Sequence, residues 1–315
     1  MKYGFGIDLG GTTVKLAYFD ETGTMLDKWE IPTVTENSGK QILPDIAAAI
    51  RGYLTAHAIP DSDILGLGIG VPGPVDRQGV VNKCINLGWG TVNLHETLSR
   101  LTGFDVRAGN DANVAALGEC WKGGGQGAQN MVLATLGTGI GGGIVTDGHL
   151  VCGAHGAGGE IGHIVVNRDE TERCPCGNYG CIEQYGSATG VVRLAKRYLT
   201  AHDTPSVLRQ NPDFSCKDVF DAAKAGDKAA HEITEQMFDL MGVFVAAVCA
   251  VADPEVVVLG GGVSKAGQIL VDGITPYFQK YAFHACRSTQ LALATLGNDA
   301  GVYGAFKLVL DAFGG

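Results

Sequence analysis

Apolar and polar residues alternate near the start of the chain, as they do in half-buried β-strands. This alternation predicts three successive strands, joined by the turns GGT and DETG, at residues 3–9, 13–19 and 24–31. The spacing then changes to a helical period between residues 46 and 54. The run ILGLGIGV (64–71) predicts a buried strand, and a helix at 95–102 and a strand at 104–110 complete this half.

The same order begins again in the middle of the chain. The strand–turn–strand–turn–strand pattern of residues 3–26 returns at 131–153, about 128 residues later, with a glycine- and threonine-rich turn between its first two strands. This echo predicts a duplicated β-β-β-α unit. The remaining pattern predicts a helix at 230–252, a strand at 255–262, a helix near 265–281, a strand at 291–297 and an amphipathic helix at 299–313.

The length, the net charge and the longest apolar run of the chain limit the classes of protein to which it can belong. A chain of 315 residues has room for about two domains. Its net charge of −10 argues against a nucleic-acid-binding surface. The longest uncharged apolar run, 241–252, is too short to cross a bilayer and is expected to be a buried helix. Since no signal-peptide pattern precedes the first strand, we expect a cytoplasmic protein with reduced thiols.

The stretch GIDLGGTTVK (6–15) combines an aspartate at a strand end with two glycines and two threonines. Backbone N–H groups in such a turn can approach phosphate oxygens closely, and Asp8 would lie where Mg²⁺ is needed. The alternative interpretation is an ordinary β-hairpin with a Gly-Gly turn. Both interpretations stay open at this point.

Asn110 and Asp111 lie at a strand end that opens a helix. An aspartate there is a favoured helix N-cap, and a fixed, ionised carboxylate is also what a general base facing a hydroxyl requires. The sequence favours these two roles of Asp111 equally.

Two G-x-G-x-x-G matches, at residues 137–142 and 68–73, suggest a dinucleotide site. That fingerprint requires a helix to begin within the glycines. A strand-like segment follows the first match, and a proline and a turn follow the second. Both are therefore excluded as Rossmann sites, which removes a dehydrogenase, and the absence of G-x-x-x-x-G-K-[ST] removes a P-loop NTPase.

Three of the nine cysteines lie within CPCGNYGC (174–181), downstream of His163. Together they supply the His/Cys₃ ligand set of a closed zinc site. A disulfide, a redox pair or three unrelated thiols are the alternatives, and the odd cysteine count and reducing compartment disfavour disulfides. Glu160 and Glu183 flank this set, and a glycine triplet in LGGGVS (259–264) would let a flat ring or a ribose approach the backbone.

Taken together, these motifs resemble those of the ROK family, a group of sugar kinases and repressors within the actin-like ATPase superfold. The resemblance covers nearly the whole chain and rests on DLGGT with Lys15, GVPGPV (70–75), NLGW (86–89), GNDAN (109–113), LGTGIGGG (136–143), HGAGGEIGH (155–163), CPCGNYGCIE (174–183) and LGGGVS. It implies an α/β, ribonuclease H-like fold of duplicated βββαβαβα order, with two lobes around a cleft. The expected small lobe is 1–111 with 299–315, and the large, zinc-carrying lobe is 112–298.

The resemblance also implies a role for individual residues. ATP phosphates are expected at two turns, formed by Gly10, Gly11, Thr12, Thr13 and Lys15 and by Thr138, Gly139 and Gly141. Asp8 is expected to organise Mg²⁺. Adenosine is expected beside Gly261 and Gly262.

For the sugar, the resemblance implies Asp111 as the catalytic base. The expected sugar ligands are Asn86, Asn110, Asp111, Glu160, His163 and Glu183. His163 would also bind one structural Zn²⁺ together with Cys174, Cys176 and Cys181.

The implied reaction is ATP-dependent phosphorylation of glucose at its 6-hydroxyl. A kinase for N-acetylmannosamine, allose or fructose is the nearest alternative, and a non-catalytic sugar sensor is a more distant one. Repressors of the family often carry an N-terminal helix-turn-helix, whereas this sequence begins at its first strand. The expected partners are a sugar and ATP, without nucleic acid or membrane, in a homodimer or homotetramer.

Overall fold

The computed structural model describes residues 1–314 and contains twelve strands in that range. They are β1 (Tyr3–Leu9), β2 (Thr13–Asp20), β3 (Met25–Pro32), β4 (Ile64–Val71), β5 (Val80–Val81), β6 (Val92–Asn93), β7 (Val106–Asn110), β8 (Met131–Leu136), β9 (Ile140–Thr146), β10 (His149–Leu150), β11 (Val256–Gly260) and β12 (Gln290–Leu293).

The α-helices of the same residues follow in chain order. They are α1 (Glu36–Gly39), α2 (Ile42–Ala56), α3 (Leu94–Thr102), α4 (Asp111–Lys122), α5 (Glu183–Gly186), α6 (Ala188–Ala201), α7 (Cys216–Lys224), α8 (Lys228–Ala252), α9 (Gln268–Tyr281) and α10 (Ala300–Phe313).

The chain forms two compact units, and each is discontinuous in sequence. The first unit contains Met1–Gly127, His149–Gly159 and the chain from Asn298 onward, and the second contains Ala128–Gly148 and Glu160–Gly297. The sequence-based lobe boundary at 111/112 therefore differs from the structural one. The physical reason is that α4, which begins at Asp111, packs against α10 and belongs to the first unit.

The first unit is built on a five-stranded sheet with the order β3-β2-β1-β4-β7. β1, β2 and β3 are antiparallel, whereas β4 and β7 run parallel to β1. Phe5 and Ile7 of β1 belong to the same buried cluster as Ile46 and Ile50 of α2. Phe19 of β2 belongs instead to the cluster of Phe306 in α10. The alternating pattern of the sequence thus separates the two faces of this sheet.

Close approaches at glycine allow α10 to lie directly on β4 and α4. A Cβ atom on Gly68 of β4 would lie 1.8 Å from the carbonyl oxygen of Ala305. A Cβ atom on Gly304 would lie 1.7 Å from the carbonyl oxygen of Val114 in α4. Real side chains do not fit at such distances, so glycine is required at both positions.

The second unit repeats this architecture, as the internal echo of the sequence predicts. Its sheet contains the strand order β9-β8-β11-β12, in which β8 and β9 are antiparallel while β11 and β12 run parallel to β8. The predicted third strand of the repeat is reduced to the two residues of β10, which belong to the first unit. The helices α6, α7, α8 and α9 pack together around the buried cluster of this unit.

α8 has 25 residues and is the helix of the described chain that is long and apolar enough to cross a membrane, with a mean hydropathy of 1.6 over 18 residues. Half of that window is buried. Met237, Met241, Phe244 and Val245 of α8 lie in the core of the second unit. The predicted buried helix at 230–252 is therefore confirmed, with two further residues at its start.

Candidate functional site

The first predicted phosphate turn lies between β1 and β2. The N–H of Gly10 donates to the carbonyl of Thr13 at 3.0 Å, and the Thr33 hydroxyl donates to the carbonyl of Gly10 at 2.7 Å. Gly11 and Thr12 are exposed at its tip. The β-hairpin predicted for this stretch is therefore present, and the Thr33 side chain, which lies outside the hairpin, hydrogen-bonds to its turn. Phosphate binding by this turn stays a prediction.

Asp8 and Lys15 face each other across the β1–β2 pair. Lys15 Nζ lies 3.2 Å from Asp8 Oδ2 and donates to the carbonyl of Asn298 at 3.1 Å. The two side chains are partly exposed, so the pair is open to water and to a phosphate or metal ion. An anionic and a cationic group next to a glycine turn fit the charge pattern of Mg²⁺ with a nucleotide phosphate.

Asn110, and not Asp111, caps α4. The Asn110 side-chain oxygen accepts from the N–H groups of Ala112 and Asn113 at 3.0 and 3.2 Å, and its amide donates to the carbonyl of Gly73 at 3.2 Å. The Asn110 side chain also hydrogen-bonds the Asp111 carboxylate. The capping interpretation of Asp111 is therefore wrong, since Asn110 performs that role.

Asp111 occupies the first helical position of α4, where its Oδ1 accepts from the N–H of Ala112 at 2.8 Å. Burial raises the pKa of Asp111, and the nearby Asp8 carboxylate raises it further, although the backbone hydrogen bond from Ala112 opposes this shift. A carboxylate whose pKa is shifted toward neutrality accepts a proton more readily, as a general base does.

The predicted sugar ligand Asn86 lies in a short 3₁₀ turn, Ile85–Leu87, and is exposed. Its neighbours Leu87 and Trp89 are buried, and Trp89 Nε1 donates to the carbonyl of Gly39 at 3.1 Å. Two buried anchors thus hold a loop whose polar residue points to solvent. This is a suitable arrangement for binding a small polar ligand.

The second predicted phosphate turn, between β8 and β9, is bonded on one side by a separate segment of the second unit. The N–H of Ile140 donates to Glu183 Oε2 at 3.0 Å, and the N–H of Gly137 closes the turn on the carbonyl of Gly139 at 2.9 Å. A Cβ atom on Gly139 would lie 2.1 Å from Glu183 Oε2. The absence of a side chain at Gly139 therefore leaves room for the Glu183 carboxylate next to the turn.

The four residues of the predicted metal site come together in the second unit. Ligand atoms of His163, Cys174, Cys176 and Cys181 all lie within 4.8 Å of one another. Cys176 Sγ and Cys181 Sγ are 3.7 Å apart, and Cys174 Sγ is 3.8 Å from His163 Nδ1. A tetrahedral zinc with Zn–S bonds of about 2.3 Å separates its sulfurs by about 3.8 Å. The donor set and its spacing therefore fit Zn²⁺.

The same distances do not fit a disulfide, whose sulfurs lie about 2.05 Å apart. None of the nine cysteines, all within the described residues, belongs to a disulfide. His163 turns Nδ1 toward the cysteines, and its Nε2 lies 3.9 Å from Glu160 Oε2. One imidazole nitrogen thus faces the metal site and the other faces a half-exposed carboxylate.

An ion-pair network beside the cysteine cluster was not predicted from the sequence. Arg197 and Arg193 hold the buried Glu170 carboxylate at 2.8 and 2.9 Å, and Tyr185 donates to it at 2.6 Å. The hydrogen bond from Arg197 keeps the pKa of Glu170 far below its ordinary range. The only sequence signal for this network is the i,i+4 spacing of the two arginines. Solvent-exposed helices without a buried partner carry the same spacing, so it does not predict a buried ion pair.

Gln184 also supports the cysteine-bearing loop. Its side-chain oxygen accepts from the N–H groups of Gly180 and Cys181 at 2.8 and 3.2 Å, and its amide donates to the carbonyl of Glu172 at 3.0 Å. The buried Gln184 side chain thus joins two segments of the loop. This role, too, was not predicted.

The glycine triplet of LGGGVS borders a cavity of about 420 Å³ in the second unit. Phe220, Cys216, Lys217 and Ala188 line it together with Gly262. Gly261 does not line this cavity and lies against the backbone of Leu136 with a φ of +82°. Burial raises the pKa of the Cys216 thiol to about 11, so the wall it forms is neutral.

A model of the ROK family matches residues 4–312. The chain belongs to the ROK family, and its fold is the actin-like ATPase fold of the solved ROK sugar kinases. It is 43% identical to a glucokinase of Halalkalibacterium halodurans, covering 96% of this chain and 94% of that protein. It is 36% identical to a glucokinase of Thermotoga maritima, with 98% of both chains covered.

Among solved structures, the chain is similar to a ROK family glucokinase from Streptomyces griseus in complex with glucose and AMPPNP. The identity is 33%, the TM-score is 0.74, and the alignment covers 97% of this chain and 98% of that one. The family resemblance inferred from the sequence motifs is confirmed.

Proposed function

We propose that this protein is a glucokinase that transfers the γ-phosphoryl group of ATP to the 6-hydroxyl of glucose. The observation that carries the proposal is the partly buried Asp111 carboxylate, left free of the capping role by Asn110, in a chain similar along its length to glucokinases. Sugar phosphorylation needs a base at the attacking hydroxyl, and a carboxylate with a raised pKa suits that role.

In this mechanism Asp111 accepts the proton of the 6-hydroxyl as its oxygen attacks the γ-phosphorus. The turns around Gly10 to Thr13 and Thr138 to Gly141 present backbone N–H groups and hydroxyls to the phosphate oxygens. Mg²⁺, organised by Asp8, supplies neutralising charge to the phosphates when it is bound. Phosphoryl transfer asks the protein mainly for such positioning and charge neutralisation.

The glucose ligands proposed are Asn86, Asn110, Glu160, His163 and Glu183. Each sugar hydroxyl both donates and accepts a hydrogen bond, so a set of carboxylates, amides and an imidazole suits it. The position of His163 Nε2, 3.9 Å from Glu160 Oε2, supports this assignment because both atoms can bond one hydroxyl.

The proposed zinc is structural. The three thiolates and His163 Nδ1 would supply all four protein ligands of a structural zinc, which would leave no open position for an activated water. Metal binding at Nδ1 would hold the proton of the His163 imidazole on Nε2, so that Nε2 would donate to a sugar hydroxyl. The 420 Å³ cavity beside Gly262 is proposed for adenosine, with Phe220 as an apolar wall for the base.

A substrate panel tests the proposal. Coupled release of ADP from MgATP is measured with glucose, mannose, fructose, allose and N-acetylmannosamine, and we expect the highest kcat/KM with glucose. A higher kcat/KM with another sugar would identify the protein as a kinase for that sugar and not for glucose. Glucose binding without ADP release would indicate a sensor and contradict the proposal.

Two further features are proposed from the family: a cytoplasmic location, where the glucose 6-phosphate would enter glycolysis, and a homodimer or homotetramer. Light scattering on purified protein measures the mass directly against the 32.8 kDa of one chain. A monomer at micromolar concentration would contradict the assembly.

A further inference from the structure

The N-terminus of α6 is bonded to the turn between β8 and β9 through two consecutive carbonyl groups. The N–H of Ala188 donates to the carbonyl of Gly137 at 2.8 Å, and the Thr189 hydroxyl donates to the carbonyl of Thr138 at 2.7 Å. Both carbonyls of the turn therefore point toward α6. One bond comes from the helix backbone and the other from a side chain.

The direction of these carbonyls fixes the direction of the following N–H groups. In a planar trans peptide the C=O and the next N–H point to opposite sides. With the carbonyls of Gly137 and Thr138 bonded to α6, the N–H groups of Thr138 and Gly139 are directed to the other side of the turn. Two adjacent donors are thereby presented together, which is the arrangement that binds phosphate oxygens.

The Thr189 proton is committed to this bond. Ser187, the N-cap of α6, donates to the carbonyl of Glu183 at 2.6 Å and lies 3.1 Å from the Thr189 hydroxyl oxygen. A hydroxyl has one proton, and a carbonyl can only accept. Since each hydroxyl already donates to a carbonyl, neither has a proton for the other. The Thr189 bond to Thr138 is therefore not shared.

We infer that Thr189 is a positioning residue for the nucleotide. Its hydroxyl holds the Thr138–Gly139 peptide in the orientation that presents the Gly139 N–H to an ATP phosphate. Without this bond the peptide next to a glycine has the conformational freedom to rotate. The inference rests on the proposed role of this turn in holding ATP, and it assigns a function to a residue outside the predicted site.

The test compares three variants of the full-length protein. Thr189→Val removes the hydroxyl and keeps the shape, whereas Thr189→Ser keeps the hydroxyl. Thr200→Val is the matched control, because Thr200 lies on the same helix and its hydroxyl bonds only to the Lys196 carbonyl within α6, at 2.8 Å. Calorimetry with Mg²⁺ and AMPPNP gives the nucleotide Kd, and steady-state kinetics give both KM values.

For Thr189→Val we expect the Kd of AMPPNP and the KM of MgATP to rise about three- to tenfold, the effect of losing one hydrogen bond. The KM of glucose should stay within about twofold, and Thr189→Ser should restore nucleotide binding. Thr200→Val should bind nucleotide as wild type does. Matched melting temperatures of the two valine variants exclude unfolding as the cause.

Three results would overturn the inference: unchanged nucleotide binding in Thr189→Val, an equal rise in the glucose KM, or failure of serine to restore binding. Calorimetry separates this inference from the proposed reaction. A wild-type protein that binds AMPPNP but does not phosphorylate glucose contradicts the reaction, and the binding comparison still decides the role of Thr189. A wild-type protein that binds no nucleotide overturns both.

Discussion

Glu183 links the cysteine cluster to the second phosphate turn: its Oε2 accepts from the N–H of Ile140 at 3.0 Å, and its Oε1 lies 3.6 Å from Cys174 Sγ. The sequence placed this residue on the sugar alone. Because Glu183 contacts both the 137–140 turn and the cysteine-bearing loop, we expect its loss to affect the proposed nucleotide and sugar sites together.

Glu183→Ala should therefore raise the KM of MgATP as well as the KM of glucose, because the Ile140 N–H loses its acceptor. Glu160→Ala is the comparison, since Glu160 contacts only His163 Nε2 among these residues and should raise the KM of glucose alone. Steady-state kinetics with each substrate varied in turn measure both constants. A glucose-only effect in Glu183→Ala would contradict the coupling.

Asp111→Asn should lower kcat by about 10²- to 10⁴-fold, the usual contribution of a general base. The KM of glucose should change much less, because the amide keeps most of the shape and α4 retains its Asn110 cap. A loss of less than about tenfold would show that another group takes the proton.

The acid limb of the pH profile provides a separate test of Asp111. Burial raises the pKa of Asp111 above its ordinary value of 3.8, and a base acts only when ionised. The kcat/KM of the wild type should therefore be constant above this raised pKa and fall as the pH decreases through it. Asp111→Asn should lack this limb, and an unchanged limb in the variant would assign it to a different group.

Purified protein should contain about one zinc per chain, with zinc–sulfur distances near 2.3 Å in X-ray absorption. Cys176→Ser should lose the metal and weaken glucose binding, because His163 then loses its fixed tautomer. Cys152→Ser is a control outside the cluster and should keep the zinc. A fully active, metal-free wild type would contradict a structural zinc.

Glu170→Gln should lower the free energy of unfolding by about 3 kcal/mol at neutral pH, because two arginines lose a buried anionic partner. Since the pKa of Glu170 in the folded protein lies below its ordinary 4.5, its stabilisation is present above about pH 4.5 and is lost as the pH falls further. The difference between variant and wild type should shrink over that range in urea unfolding.

Glu172→Gln is the matched control for Glu170→Gln. Glu172 pairs with the same two arginines, but its side chain is 57% exposed, so water replaces the lost partner. We expect a much smaller loss of stability. Equal losses would mean that burial of the Glu170 carboxylate is not the source of its effect.

The sequence predicted the strands and the proximity of the three cysteines well because both depend on local signals. Alternation and turn residues place β1, β2 and β3 to within one or two residues. The C-x-C-x₄-C spacing brings Cys174, Cys176 and Cys181 together without reference to distant residues.

The predictions that differ depend on contacts between distant parts of the chain. The lobe boundary is displaced because α4 packs on α10, nearly at the other end of the sequence. Asparagine and aspartate are both good caps, and Asn110 is identified as the cap by the bonds that its side-chain oxygen accepts from the N–H groups of Ala112 and Asn113. The distant Gly73 carbonyl holds the amide of the same side chain. The burial of Glu170 requires α6 to lie beside it, which no local pattern encodes.

The helix α10 also determines the order in which the molecule can be completed. As the chain leaves the ribosome, β1 to β7 and α4 emerge first, but the surface formed by Gly68 of β4 and Val114 of α4 has no helix to receive until residues 300–313 are made. The second unit ends at Gly297, so all of it is synthesised before α10. The unit that is begun first is therefore completed after the second unit, and its hydrophobic surface stays uncovered until residues 300–313 have been synthesised.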